Sequence, residues 1–264
     1  MDKKYNFLRP IKNENLIRLG READGGYVVD KKIVQNTDCL ITFGLGPDWS
    51  FELDYIKLNN EVKIFMYDYT VNSRPYLKEI WKYLRRFLTF RSKRRDVQDR
   101  IKYYLNYLNF FKLKNVNFFS ERITFPIQNK IDADLDKVFS RISNEKKVVL
   151  KSDIEGSEFK IIDEILKYNS KINMLIFEFH WLNINEDKFI NSINKIKEKF
   201  NIIHIHGNNH CEKLPSGLPI ALEMTFVNKE IQKDEGKYIK SFPLKNLDFP
   251  NNPYKEDLFF SFLD

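Results

Sequence analysis

The chain has 264 residues, with 44 lysines and arginines against 37 aspartates and glutamates, which gives a formal net charge of +7. Two cysteines are too few for a disulfide framework, and the sequence holds no run of 18 apolar residues that would span a membrane. The first residues lack the apolar stretch of a signal peptide, so we expect a cytoplasmic protein.

The positive charge is concentrated in one segment. Residues 73–115 hold 13 lysines and arginines against 3 acidic residues, a balance of +10 that leaves −3 for the rest of the chain. Apolar residues recur at helical spacing through the same segment. The sequence therefore predicts a single domain over residues 1–264 with a basic helical insertion at 73–115.

Short apolar runs alternate with helical patterns along the chain. Residues 1–30 are predicted to be irregular or helical and to end in a turn or hairpin at Asp24-Gly25-Gly26. Strands are predicted at 39–43, 63–67, 116–119, 147–150, 174–179, 202–206 and 221–227, and helices at 48–58, 75–111 with a break at 91–95, 134–142, 159–168 and 187–200. The tail from residue 242 is predicted to be extended.

This alternation of strands and helices predicts an α/β fold with a largely parallel sheet and helices on both faces. The loop at 207–220 is polar and rich in Gly, Asn and Pro. Because parallel neighbours need a crossover that is usually helical, we expect the seventh strand to run antiparallel to the sixth.

A glycine turn follows the first predicted strand. Gly44, Leu45 and Gly46 stand at its carboxyl end, which is where a nucleotide-like cofactor binds in such sheets. Trp49 occupies the place of the third glycine of a dinucleotide fingerprint. The turn thus suits a cofactor without a pyrophosphate, and we expect S-adenosylmethionine to contact these three residues and Asp48.

An acidic residue ends the second predicted strand. Asp68 lies 24 residues after Gly44, where a carboxylate accepts hydrogen bonds from a ribose diol. Tyr69 is expected to lie against the adenine. The alternatives are a solvated turn acid and a tyrosine packed in the core.

Carboxylates and histidines follow the later strands. Asp153 ends the fourth strand, Glu178 and His180 share one face at the end of the fifth, and His206 ends the sixth. Asp153, Glu178 and His206 form an oxygen and nitrogen donor set suited to Mg²⁺ or Mn²⁺. We expect His180, with Asp153, to be catalytic, as the base that removes a hydroxyl proton. The alternative is a hydrogen-bonded cluster that orients an acceptor without a metal.

With these motifs, the sequence resembles the FkbM-type family of S-adenosylmethionine-dependent methyltransferases. The residues that carry the resemblance are Asp24-Gly25-Gly26-Tyr27, Phe43-Gly44-Leu45-Gly46, Lys151-x-Asp153-Ile154-Glu155-Gly156-x-Glu158, Glu178-Phe179-His180, His206-Gly207-Asn208-Asn209 and Leu222-Glu223-x-Thr225-Phe226. The resemblance implies a seven-stranded class I methyltransferase (Rossmann-like) fold, S-adenosylmethionine as methyl donor, and O-methylation of sugars or other secondary metabolites. Within these motifs, Tyr27, Lys151, Asn208 and Asn209 are expected to contact the acceptor.

The basic segment suggests the acceptor. An anionic nucleotide-activated sugar, of the kind used for capsule or other surface polysaccharide, would supply the negative charge that the segment lacks. Arginines would grip its phosphates in bidentate fashion, with Arg91 and Arg94 the first candidates and Arg85, Arg86 and Arg95 beside them. The alternative is a pair of amphipathic helices whose cations are only solvated.

Two other function classes remain open at this stage. A nicotinamide-dependent oxidoreductase would use a similar sheet, although Trp49 disfavours its cofactor. A nucleic-acid-binding or nucleic-acid-modifying protein would use the basic and aromatic residues of 73–115, although no nucleic-acid motif accompanies them. The same segment would also serve as an oligomer contact. A metal-assisted sugar O-methyltransferase is the hypothesis that the residues favour.

Overall fold

The computed structural model of the protein describes residues 1–142 and 144–263. In chain order the strands are β1 (Leu16–Leu19), β2 (Tyr27–Asp30), β3 (Cys39–Phe43), β4 (Lys63–Tyr67), β5 (Val116–Phe119), β6 (Arg122–Ile123), β7 (Asp132–Ala133), β8 (Val148–Ser152), β9 (Ile172–Phe179), β10 (Phe200–Gly207), β11 (Leu222–Asn228), β12 (Ser241–Phe242) and β13 (Phe260–Ser261). The α-helices are α1 (Lys31–Gln35), α2 (Ser50–Leu58), α3 (Arg74–Leu88), α4 (Arg94–Phe110), α5 (Leu135–Ser140), α6 (Ile162–Leu166) and α7 (Leu182–Lys199), with 3₁₀ turns at Lys3–Leu8 and Glu158–Lys160.

Seven strands form the central sheet in the order β10-β11-β9-β8-β3-β4-β5. β11 runs antiparallel to both of its neighbours, and the other pairs are parallel. The predicted parallel sheet and antiparallel seventh strand are therefore confirmed. This is the sheet of the class I, Rossmann-like methyltransferase fold.

The core lies on both faces of the sheet. Successive residues of β3 alternate between two buried clusters, with Ile41 and Phe43 in one and Leu40 in the other. Helix α2 covers the Leu40 face with Phe51 and Tyr55, whereas α5, α6 and α7 cover the opposite face. Because both faces are covered, β3 is a continuous apolar run, as parallel strands usually are.

The structure contains elements that the sequence did not predict, namely α1, β6, β7, β12 and β13, and three further differences concern predicted segments. The first thirty residues contain the β1–β2 hairpin, which closes over the predicted Asp-Gly-Gly turn. The helix predicted at 159–168 is a 3₁₀ turn followed by α6, because Ile161, at φ −112°, interrupts the helical path. Helix α7 begins at Leu182, five residues before the predicted start, and its first turn is separated from the rest of the helix by non-helical backbone at Asn185 (φ −122°, ψ 21°).

Helices α3 and α4 form an antiparallel hairpin between β4 and β5. In α3, all of whose residues are described, no side chain is buried, and in α4 Phe110 is the buried one. Phe110 stacks on Trp49, which directly precedes α2, with ring centroids 5.4 Å apart and an interplanar angle of 12°, so the base of the hairpin packs on the start of α2. The rest of it projects from the body of the protein. Within the described ranges, no helix has the length and apolar character needed to cross a membrane.

Candidate active site

The glycine turn after β3 is held by the acid that ends β4. The Leu45 and Gly46 N–H groups both donate to Asp68 Oδ2, at 3.0 and 2.9 Å. Thr70 donates to Asp68 Oδ1 through its N–H at 2.7 Å and its hydroxyl at 2.6 Å. The buried carboxylate thus has four donors, about as many as its lone pairs accept. Asp68 joins the two loops expected to hold the cofactor, a role that its position in the sequence did not indicate.

Gly44 and Gly46 both have positive φ, but they do different work. At Gly44 (φ +74°) an added Cβ would lie 1.7 Å from the backbone oxygen of Asp153, so the turn packs directly against the loop after β8. At Gly46 (φ +63°) an added Cβ would have no atom within 4 Å. The space in front of Gly46 is therefore open, as a backbone surface that a ligand approaches must be.

Gly46 lines a cleft of about 1110 Å³ between the sheet edge and the hairpin. Asp48 and Thr70 line it as well, together with Arg21 and Arg100, two cations that the sequence analysis did not single out. The other lining residues are Pro47, Trp49, Ser50, Leu53, Val71, Asn72, Pro75, Tyr76, Glu79, Tyr103, Asn106, Asn109, Phe110 and Leu113.

Two of the predicted cofactor residues have local contacts of their own. Asp48 accepts a hydrogen bond from the Ser50 N–H at the start of α2 (3.0 Å) and lies 3.5 Å from Arg21. Tyr69 is 48% exposed and is not among the residues that line the cleft. Of the pair, Asp48 is the one that faces the open space beside Gly46.

A second group of side chains, here called the polar cluster, lies at the carboxyl ends of β8, β9 and β10. Its members are Tyr27, Asp153, Glu155, Glu158, Glu178, His180 and Asn208. The Tyr27 hydroxyl lies between two acids, 3.1 Å from Asp153 Oδ2 and 3.3 Å from Glu178 Oε2. The Asn208 amide donates to Glu178 Oε1 at 2.7 Å. Five of the residues expected at the site, Tyr27, Asp153, Glu178, His180 and Asn208, are brought together here.

His180 is oriented by a buried acid. Its Nδ1 lies 3.3 Å from Glu158 Oε1, which also accepts from the Ile154 N–H. This leaves Nε2 facing Glu178, Asp153 and Glu155 at 3.6, 3.7 and 3.8 Å, each too long for a hydrogen bond. Burial by itself would lower the pKa of His180, but the hydrogen bond to Glu158 and the charge of Glu178 raise it to about 9. These acids favour the protonated imidazole, which disfavours the expected role of a free base, and a cation bound at Nε2 would take the place of that proton.

Asp153 and Glu178, the two acids that flank the Tyr27 hydroxyl, have shifted pKa values. Burial, followed by the charges of Asp153 and Glu223, raises the pKa of Glu178 well above its usual range. Burial also raises the pKa of Asp153, although Lys151 and His180 oppose it. The Lys151 ammonium sits 4.6 Å from the centre of the Tyr27 ring. Lys151 therefore contacts the cluster through the Tyr27 ring, and its positive charge stabilises the Asp153 carboxylate.

His206 does not join this cluster, contrary to the expected ligand set. It pairs with Glu223, and Glu223 pairs with Glu178, so β11 separates His206 from Glu178. Its Nδ1 lies 3.2 Å from Glu223 and its Nε2 lies 3.0 Å from Asp257. Both ring nitrogens are occupied by carboxylates. The antiparallel insertion of β11 between β9 and β10 is the physical reason for the separation.

Asn209 also has a different place from the expected contact with the acceptor. Its amide donates to the carbonyls of Asn252, Lys255 and Glu256, and its Oδ1 accepts from the Asn252 N–H. All of these partners belong to the C-terminal tail. Asn209 therefore ties that tail to the end of β10.

The arginines Arg91 and Arg94 lie at the outer end of the hairpin, in the turn after α3 and at the first residue of α4. The 15 residues of α3 extend about 22 Å at 1.5 Å per residue. Among the residues that line the cleft, Glu79 on α3 and Arg100 on α4 are the ones nearest to the turn of the hairpin. The structure thus does not bring Arg91 and Arg94 to the cleft, because the hairpin projects away from the sheet.

Two residues of the polar cluster were underestimated from the sequence. Glu155 and Glu158 belong to the motif at 151–158, but the sequence analysis assigned no role to either of them. Glu158 is fully buried and orients His180, and Glu155 groups with Asp153 and His180 so that one donor atom from each lies within 4.8 Å of the others. The signal was their spacing in the 151–158 motif, which only the loop geometry resolves into separate roles.

No protein-family model and no curated protein matches the chain. Solved structures match at low similarity. A fibrillarin pre-rRNA processing protein of Methanococcus jannaschii is 9% identical, with a TM-score of 0.39 over 74% of this chain and 68% of that one. A precorrin-6y C5,15-methyltransferase of Geobacter metallireducens is 9% identical, with a TM-score of 0.35 over 75% and 88%.

A Streptococcus pneumoniae protein described as a candidate tRNA (m1A22) methyltransferase, in complex with S-adenosyl-L-methionine, is 11% identical, with a TM-score of 0.38 over 75% of this chain and 71% of that one. TM-scores at this level carry no argument about activity or substrate. The assignment of the fold rests on the strand order, and the resemblance to the FkbM-type family stays a prediction.

Proposed function

We propose that the protein is an S-adenosylmethionine-dependent O-methyltransferase whose acceptor hydroxyl binds at the polar cluster. The contact between Gly44 and the backbone of Asp153 carries this proposal, because it makes the cofactor turn and the cluster adjoin at one edge of the sheet. S-adenosylmethionine supplies a methyl group on a sulfonium sulfur. When that methyl moves to oxygen, the C–S bond breaks to leave a neutral thioether, a C–O bond forms, and the hydroxyl proton passes to a carboxylate of the polar cluster.

The glycine turn has the features that this cofactor requires. Gly46 presents open backbone to the cleft, and Asp48 and Thr70 line the space beside it. Asp68 holds the turn in this shape through Leu45 and Gly46. A contact between Asp68 and the ribose would require one of its four present donors to give way, so we assign it chiefly to shaping the turn.

Asp153, Glu155 and His180 are the donors we propose for a divalent cation, in place of the set that included His206. The three donor atoms lie within 4.8 Å of one another, and Nε2 of His180 faces the carboxylates while Nδ1 is held by Glu158. A carboxylate behind the imidazole is the usual support of a metal-bound histidine. Oxygen and nitrogen donors suit Mg²⁺ or Mn²⁺, which would lower the pKa of a hydroxyl bound beside them.

A sugar hydroxyl, in a nucleotide-activated form, remains the acceptor that we propose. The cleft between the turn and the hairpin contains the cations Arg21 and Arg100, and arginine binds phosphate oxygens in bidentate fashion. These two residues replace Arg91 and Arg94 in the proposal. An RNA acceptor is the second candidate, because the hairpin combines a charge balance of +10 with exposed aromatic rings.

An acceptor screen tests the proposal. The protein would be mixed with S-adenosylmethionine, Mn²⁺ and, in turn, nucleotide sugars, free sugars and RNA, and each product examined by mass spectrometry for the gain of one CH₂. We expect nucleotide sugars to be methylated, and Asp153→Asn to abolish the gain. Asp187→Asn, an exposed acid on α7, is the matched control and should have full activity. Methylated RNA in place of sugar would favour the second candidate, and no methylation of any class would contradict the proposal.

A further inference from the structure

The outer part of the α3–α4 hairpin carries an apolar stripe that is exposed among the residues that the structure describes. Leu77, Trp81 and Leu88 lie at spacings of four and seven residues, which places them on one face of α3. Trp81 is 63% exposed and Leu88 is 68% exposed. The adjacent face of α3 packs on α4, where the ring of Tyr76 lies 4.8 Å from that of Tyr107. One face of α3 therefore packs within the hairpin, and the stripe with Leu77, Trp81 and Leu88 is exposed.

The turn of the hairpin adds the most exposed large apolar side chain on this element. Phe90 is 98% exposed and stands directly after α3, with left-handed backbone (φ 57°). Arg91 follows Phe90 directly, and its N–H donates to the Arg86 carbonyl across the turn. Both arginines are exposed, so the turn combines an exposed phenylalanine with two cations.

Cations also border the apolar stripe along its length. A shallow groove on the outer face of α3 is lined by Arg74, Leu77, Lys78, Trp81, Lys82 and Arg85. Over residues 73–115 the charge balance is +10, against −3 for the rest of the chain. Aromatic and aliphatic side chains bordered by lysine and arginine are typical of helices that lie at the surface of a membrane.

We propose that the α3–α4 hairpin docks the protein on an anionic lipid bilayer. Trp81, Leu88 and Phe90 would enter the region between headgroups and acyl chains, while the long basic side chains remain beside the lipid phosphates. This assignment uses both properties of the surface, its exposed apolar groups and its charge.

Two other partners match the surface less well. A second copy of the hairpin would bring one charge balance of +10 against another, which is repulsive. The phosphates of a nucleic acid would pair with the cations and its bases would stack on the rings, but it would not bury the aliphatic Leu77 and Leu88. The lipid surface is therefore the occupant that the observations favour.

Vesicle co-sedimentation of the full chain tests the proposal. We expect the protein to sediment with vesicles of phosphatidylcholine mixed with phosphatidylglycerol, to bind pure phosphatidylcholine weakly, and to be released as the salt concentration rises. Phe90→Ser should weaken binding about tenfold, since a whole phenylalanine leaves the apolar phase. Tyr254→Ser, which removes an aromatic side chain that is 96% exposed elsewhere on the chain, should bind as the parent does.

A charge series separates the electrostatic part. Replacing Arg85, Arg86 and Arg91 by glutamine should weaken binding about fivefold per residue on the anionic vesicles and change little on the neutral ones. Lys229→Gln with Lys233→Gln is the matched control, and far-ultraviolet circular dichroism verifies that each variant is folded. Equal binding of Phe90→Ser and its parent would overturn the proposal. Tight binding to an RNA oligonucleotide without binding to vesicles would also overturn it. The same holds for a dimer that depends on Phe90 and forms equally with or without lipid in analytical ultracentrifugation.

Discussion

The polar cluster and the α3–α4 hairpin both place charged groups beside aromatic rings, but in opposite surroundings. In the cluster Glu158 and Glu178 are buried, and Glu178 accepts hydrogen bonds from Tyr27 and Asn208. In the hairpin, Phe90 and Arg91 face solvent. Buried charge must be answered inside the chain, so it marks a site whose geometry the fold fixes. Exposed charge beside exposed apolar surface is available to a partner outside the chain. For this reason we assign the polar cluster to chemistry and the hairpin to docking.

The largest expected effect comes from breaking the cluster's donor set. Asp153→Asn, or treatment with a chelator, should lower methyl transfer at least about a hundredfold, because a ligand of the proposed cation is lost. Manganese binding, followed by electron paramagnetic resonance, should weaken in parallel, and added Mn²⁺ should restore the chelated protein. Phe90→Ser, at the hairpin, should leave both readouts unchanged. Full turnover after chelation would contradict the metal assignment.

The second prediction uses the two glycines of the turn as a pair. Gly44→Ala should lower the free energy of unfolding by about 3 kcal/mol, since its Cβ would overlap the Asp153 backbone and its φ is positive. Gly46→Ala carries only the cost of a left-handed alanine, about 1 kcal/mol. Urea denaturation measures both. Equal losses for the two variants would mean that Gly44 does not make the close contact that joins the turn to the cluster.

A third prediction separates two roles for Asp68. If it shapes the turn, Asp68→Asn should lower the free energy of unfolding by about 1–3 kcal/mol, because an amide cannot accept from both the turn and Thr70. Asp99→Asn, an exposed acid on α4, is the control. Unchanged stability with a selective loss of cofactor affinity would instead assign Asp68 to the ribose.

The smallest effect concerns pH and the C-terminal tail. Burial lowers the pKa of His206, but the hydrogen bonds to Asp257 and Glu223 outweigh it and raise the pKa from 6.5 to about 10. The folded value exceeds the unfolded one, so this stabilisation is complete below about pH 6.5 and is lost as the pH rises through about 10.

The difference in unfolding free energy between the parent and His206→Gln should therefore shrink across that pH range. A difference that stays constant with pH would show that His206 is not held as a cation between the two carboxylates.

The strands could be predicted from the sequence because each is a short apolar run bounded by polar or turn residues. β3, β4 and β5 agree with prediction at both ends. The meeting of Asp153, Glu178 and His180 also followed, since adjacent parallel strands bring their carboxyl ends together. These inferences depend only on periodicity and on the order of neighbouring strands.

Two predictions were wrong about where residues lie relative to the site, although the residue types were suitable. His206 was placed one strand too near, because strand-end arguments do not show that β11 lies between β9 and β10. Arg91 and Arg94 were placed over the site, because the sequence predicts two helices but not the direction in which the hairpin leaves the sheet. The buried role of Glu158 depends on a loop conformation that its motif spacing does not specify.

Calorimetric titration with S-adenosylmethionine tests the central claim most directly. We predict one binding site per chain in the parent protein and at least a tenfold weaker affinity in Gly46→Ala, whose Cβ enters the open space beside the turn. Phe90→Ser should bind the cofactor as the parent does. If the folded parent binds neither S-adenosylmethionine nor S-adenosylhomocysteine, the protein is not an S-adenosylmethionine-dependent methyltransferase.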